Sequence, residues 1–115
     1  MVREERVAAR PLSRVLMAQF DVHQLRSSAD LVLDCQADVL GHEERRFVVP
    51  LLPSETAPRA LPRLTPIFTI DGQRFTMATP LAASVPRREL GGEIASLASE
   101  RDRIIGAIDM LVTGV

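Results

Sequence analysis

Ile67-Phe68-Thr69-Ile70-Asp71-Gly72-Gln73-Arg74-Phe75-Thr76-Met77 is the stretch that decides the fold class. Two β-prone runs flank Asp71-Gly72, and a two-residue type I′ turn needs positive φ at both central positions, which Asp and Gly supply. The stretch therefore reads as an antiparallel hairpin. Upstream of it, Pro53, Pro58, Pro62 and Pro66 make residues 52–65 a loop with one helical turn at most, because proline removes a donor and fixes φ.

Further strands precede that loop. Phe20, Val22 and Leu25 alternate with Asp21 and His23, the period of a half-buried strand, and residues 26–30 form a polar turn. A second strand covers residues 31–37. After the polar loop of residues 41–46, Phe47-Val48-Val49 reads as a short strand buried on both faces, with Pro50 limiting its pairing. Downstream the period changes: Ile94, Leu97, Ile104, Ile105, Ile108, Leu111 and Val112 recur at spacings of three and four. Ser99 and Asp102 have the spacing of a capping box, so the helix should begin near Ser99 and end beside Gly114.

Composition bounds what such a chain does. Its 115 residues fit one domain, and 46% hydrophobic with 25% charged residues at a net charge of −1 excludes a disordered tail or an electrostatic nucleic-acid binder. All fourteen basic residues are Arg. A single cysteine, Cys35, rules out an internal disulfide, and no stretch has the ~20 apolar residues of a membrane helix, so a cytoplasmic location is expected. Residues 1–16 carry Arg3, Arg6, Arg10 and Arg14 without the apolar region of a secretory signal. Two readings of this extension stand: a start site assigned too early, with Met17 as the initiator, or a helical arm in which Val2, Ala9, Leu12 and Leu16 share a face. The domain proper is residues 17–115.

Catalytic motifs are weak. His42-Glu43-Glu44 is a polar loop without a convergent partner, and His23 falls on the outward face of its strand at no metal-ligand spacing. Cys35 reads as a small buried hydrophobe, and Gly91-Gly92 as flexibility before a helix. No metal, cofactor or catalytic residue is expected.

Four segments in fixed order carry a resemblance. Gln19-Phe20, then Asp34-Cys35-Gln36-Ala37-Asp38 with Arg45-Arg46-Phe47-Val48-Val49-Pro50-Leu51, then Ala83-Ser84-Val85-Pro86, and finally Glu93-Ile94-Ala95 leading to Ile104, Ala107-Ile108 and Gly114, resemble the CcdB toxins from Met17 to Val115. The resemblance implies a mainly β, α+β fold: an SH3-like β-barrel of antiparallel strands with a small accessory sheet and a C-terminal α-helix. It also implies a homodimer that binds the A subunit of DNA gyrase and traps its complex with cleaved DNA. Neutralisation by a CcdA-like antitoxin, with autorepression of the shared operon, comes from the family alone. No enzymatic activity and no direct nucleic-acid binding are implied for the toxin by itself.

Carried over position by position, the gyrase contacts implied are Val39, Leu40, Asp109, Val112, Thr113, Gly114 and Val115, and Arg26 is a candidate antitoxin contact. The family has a Trp third from the end, stacked on a gyrase arginine; this chain has Thr113, and the neighbouring Phe is reduced to Val112. Losing such a stack removes about 0.5 to 2 kcal/mol. Three explanations stand: a gyrase pocket altered to match, a different target, or a degenerate toxin that keeps its antitoxin contacts. The MazF and Kid endoribonucleases share the barrel and supply the alternative function by fold analogy. A non-toxic binding module is the third reading.

Overall fold

A computed structural model describes residues 18–115, so the extension of residues 1–16 and the question of Met17 lie outside the described residues. Seven strands and one α-helix follow: β1 (Asp21–Leu25), β2 (Leu31–Asp34), β3 (Arg45–Pro53), β4 (Ile67–Ile70), β5 (Gln73–Met77), β6 (Ala83–Pro86), β7 (Leu90–Ser96) and α1 (Arg101–Thr113). All adjacent pairs are antiparallel, in the order β4-β5-β3-β2-β1-β7. The sheet curls into a half-barrel that carries the single helix, an α+β fold as the sequence suggests.

Strand β3 is the branch point. Its first half pairs with β6, from Arg45 opposite Pro86 to Val48 opposite Ala83, and its second half pairs with β5, from Leu51 opposite Met77 to Pro53 opposite Phe75. Barrel and accessory sheet are thus one branched sheet. Pro50, expected to limit pairing, lies inside β3 opposite Val32, because a proline still offers its carbonyl, and that oxygen accepts the Ala78 N–H at 2.8 Å. Phe47, expected to be buried, is 37% exposed and only Val48 and Val49 are enclosed.

The hairpin forms as read, with φ of +50° at Asp71 and +79° at Gly72. It contributes Phe68, Ile70, Phe75 and Met77 to the main core, where they join Phe20, Val22, Leu33, Val49, Leu51 and, from α1, Ile104 and Ala107. The loop before the hairpin consists of turns without a helical segment. Gly91 and Gly92, read as a flexible lead-in, lie instead in β7, and Ile94 belongs to that strand rather than to the helix. A Cβ on Gly91 would stand 2.7 Å from the Gln24 carbonyl oxygen, so the close approach of β7 to β1 requires glycine here. The Ser99 cap does not form: Ser99 lies in a 3₁₀ turn at Ala98–Glu100, and Glu100 precedes the helix without a side-chain cap. Ser96 serves that turn, its Oγ accepting the Ala98 N–H at 3.2 Å.

The opposite sheet face holds a smaller core of Val32, Val48 and Leu90, and beside it lies a fully buried ion pair. Arg46 donates to Asp34 Oδ2 from Nε at 3.1 Å and from Nη2 at 2.8 Å, both side chains being 0% exposed. Burial pushes the Asp34 carboxyl above its ordinary value, while the Gln36 N–H and the guanidinium oppose that shift. Two charges in such a place are tolerated only together. Arg46→Leu or Asp34→Leu alone should cost about 3 to 5 kcal/mol, and the double replacement should recover most of that loss. Urea unfolding of the three variants checks this; single variants within about 1 kcal/mol of the parent would contradict it.

Candidate functional site

The Asp-x-Gln-x-Asp run and the Arg-Arg pair turn out to be a set of supports for one turn. Beyond Asp34, Arg46 uses Nη1 to donate to the Leu40 carbonyl at 2.8 Å. Gln36 Nε2 donates to the same oxygen at 3.2 Å, while its Oε1 accepts the Phe47 N–H at 2.8 Å. Asp34 Oδ1 accepts the Gln36 N–H at 3.0 Å, and Asp38 Oδ1 accepts the Gln19 N–H at 2.8 Å. The 3₁₀ turn Asp38–Leu40 has no buried residue of its own, so these polar anchors hold it in place. Its apolar side chains face outward, Val39 at 88% exposure and Leu40 at 45%.

The second surface is the end of α1. Gly114 takes φ +79° and its N–H donates to the Met110 carbonyl at 2.9 Å, the left-handed stop that glycine adopts without steric cost. Val112 and Val115 are 75% and 72% exposed, and Leu111 is also exposed. Thr113 Oγ1 donates to the Asp109 carbonyl at 2.7 Å and accepts the Val115 N–H at 3.4 Å, which fixes the direction of the last residues. The last turn holds no basic residue, so the exposed carbonyls and the nearby Asp109 make an electronegative tip.

Asp109, Val112, Thr113, Gly114 and Val115 thus share one tip, and Val39 with Leu40 lies elsewhere. Gln19 ties the Asp38 turn to the first residue of the helix, its Oε1 accepting from Arg101 Nη1 at 3.1 Å. From Arg101 to Thr113 the helix rises about 18 Å at 1.5 Å per residue. Arg26, the third expected contact, is exposed in the β1–β2 turn with its N–H on the Glu89 carbonyl at 2.9 Å.

No chemistry converges on any of these surfaces. His23, expected on the outer face, is 4% exposed, because its strand face is covered; its Nδ1 pairs with the Gly91 carbonyl at 2.9 Å. His42, Glu43 and Glu44 are exposed, in a loop held by Arg87 through the carbonyls of Gly41 and Glu43. Among the described residues no cluster of three His, Cys, Asp or Glu can hold a metal ion.

The model of the CcdB protein family matches residues 19–114. The chain belongs to the CcdB family. That family comprises toxins of toxin–antitoxin pairs, inhibitors of other proteins rather than enzymes. The two outward apolar surfaces are the kind of feature such an inhibitor needs, since large exposed hydrophobics are the ones that call for a partner. No helix among the described residues is long and apolar enough to cross a membrane.

Residue typing alone missed the supports of the exposed Asp38–Leu40 turn. Gln36, Arg46 and Gln19 are positioning residues, and the only signal for them is their place in the Asp-x-Gln-x-Asp and Arg-Arg runs. Cys35 is inert for a physical reason: burial, with Asp34 nearby, pushes its thiol up to about 12 from an ordinary 9.0. The folded thiol keeps its proton where the unfolded thiol loses it, so stability falls as pH rises from about 9 toward about 12, by about 1.4 kcal/mol per unit. Between pH 9 and about pH 10.5 the parent should lose about 2 kcal/mol more than Cys35→Ala. Urea titrations at the two pH values check this, and parallel losses would contradict it.

Proposed function

We propose that the chain is a gyrase poison: a homodimer that binds the A subunit of DNA gyrase and holds the enzyme on cleaved DNA, until a CcdA-like antitoxin removes it. The observation that carries this reading is the end of α1. The helix stops at a left-handed glycine, presents Val112 and Val115 to solvent, and points an electronegative tip outward. Such a tip attracts an arginine, through the helix dipole and the Asp109 carboxylate, even where no aromatic ring is present to stack on it. Thr113, bonded to its own helix, takes the place of that ring without disturbing the tail's direction.

Val39 and Leu40 form the second contact in this reading, and Arg26, exposed in the β1–β2 turn, the antitoxin contact. Disordered acidic segments that fold on binding suit exposed arginines of this kind. The endoribonuclease alternative gains no support from the candidate histidines, since His23 is enclosed and His42 is an isolated loop residue.

Purified protein incubated with its host's gyrase and supercoiled plasmid should give linear DNA after denaturation. Intact plasmid at micromolar protein, with RNA cleaved in a parallel reaction, would overturn the reading. Thr113→Trp restores a ring for the arginine and should tighten gyrase binding about twofold to about thirtyfold, from about 0.5 to 2 kcal/mol of cation–π energy. Titration calorimetry against the gyrase A subunit measures it, and weaker binding by this variant would show that the target pocket is not built for an aromatic.

A further inference from the structure

Two consecutive carbonyls at the end of the Asp38–Leu40 turn are each taken by a guanidinium. Arg46 donates to the Leu40 carbonyl, and Arg87 Nη2 donates to that of Gly41. Arg87 reaches further along the same loop: its Nε donates to the Glu43 carbonyl at 3.3 Å and its backbone N–H to the Glu44 carbonyl at 2.7 Å. One residue thus spans residues 41–44 and ties them to the chain directly after β6. Strand register explains its place, since Arg45 pairs with Pro86 and the next residue falls beside the loop that leads into β3.

The two arginines are not equivalent. Arg46 is fully buried with Asp34, and the sheet depends on it. Arg87 is half-buried, and its bonds to residues 41–44 serve a loop in which His42, Glu43 and Glu44 all face solvent. A planar guanidinium meets two carbonyls at once from a fixed fork, whereas an ammonium offers a point charge. What the loop passes on is order in the neighbouring turn. The Gly41 N–H donates to the Asp38 carbonyl at 2.9 Å and the Glu43 N–H to the Leu40 carbonyl at 3.1 Å, so a loop fixed at Gly41 and Glu43 fixes the turn through its own backbone. That turn buries no residue of its own, and Val39 and Leu40 stand exposed on it.

We propose that Arg87 is a positioning residue for the contact surface of Val39 and Leu40: its fork holds residues 41–44, and the turn is ordered before a partner arrives. Order already present in the free protein lowers the entropic cost of binding. The bracing of the loop stands on the geometry alone; its consequence for affinity rests on the gyrase reading.

Hydrogen exchange of the full chain and of its Arg87→Met and Arg87→Lys variants tests the bracing. Arg87→Met keeps the aliphatic stem and the backbone N–H but loses the fork, and Arg87→Lys keeps the charge without the fork. The Gly41 and Glu43 amides should exchange about fivefold faster or more in both variants, with those of residues 104–108 in α1 unchanged. Parental rates at Gly41 and Glu43 in either variant overturn the proposal, and so does equal acceleration in α1, the mark of a general loss of stability. Titration calorimetry against the gyrase A subunit tests the consequence. Arg87→Met should bind about threefold more weakly or worse, yet lose nothing further in a Val39→Ala/Leu40→Ala background, where the side chains it positions are gone. An equal loss in both backgrounds overturns the positioning role, because a residue acting elsewhere weakens binding regardless of Val39 and Leu40. Faster exchange with unchanged affinity refutes the consequence, whereas faster exchange with no gyrase binding by the parent refutes the gyrase reading and leaves the bracing established.

Discussion

The pairing of Arg46 with Asp34 is the constraint on which the rest depends. A guanidinium and a carboxylate with no solvent exposure are individually costly to bury, and each is tolerated because the other is held against it at 2.8 Å. The same guanidinium reaches the Leu40 carbonyl, so the pair that fixes β2 against β3 also fixes the turn that displays Val39 and Leu40. One side chain therefore neutralises the buried carboxylate and holds the exposed turn. An apolar pair of equal volume would satisfy the sheet but leave the Leu40 carbonyl to the Gln36 amide and the Glu43 N–H, without the guanidinium that ties it to β3.

The second surface depends on the first through Gln19. This residue joins the Asp38 turn, the Cys35 carbonyl and Arg101, so the root of α1 is tied to the turn while its tip stands about 18 Å away. The body of the helix is held by Ile104 and Ala107 in the main core, with Arg103 reaching the Ile67 carbonyl and lying over the Phe68 ring at 4.6 Å. The root and body of α1 are therefore anchored, and its exposed tip extends from that fixed base. An anchored helix lowers the ordering cost of binding, which suits an inhibitor with few aromatic anchors to offer.

Legibility in the sequence followed how local the cause was. Asp71-Gly72 and Gly114 demand positive φ, a property of a few adjacent residues, and both were placed from the sequence. His23, Arg46 and Pro50 went the other way because their surroundings come from strands distant in the chain. Arg46 finds its carboxylate twelve residues back, and His23 is enclosed on a sheet face that alternation marks as outer. Strand β7 was hidden by its own composition: two glycines look like a linker, and Ile94 and Leu97 mimic the period of the helix that follows. Of the candidate site, the tail was legible as a helix running out at glycine, whereas the supports of the Asp38–Leu40 turn were visible only as a run of letters shared with a family.

The function we propose requires that the two exposed apolar surfaces, Val39 with Leu40 and the end of α1, meet a gyrase. The most direct measurement is hydrogen exchange of the chain with and without its host's gyrase A subunit, followed residue by residue. The account predicts slowed exchange at residues 39–40 and at residues 109–115, with the β4–β5 hairpin unaffected. Binding that leaves both segments exchanging as in the free protein, and protects the hairpin or β7 instead, would contradict it.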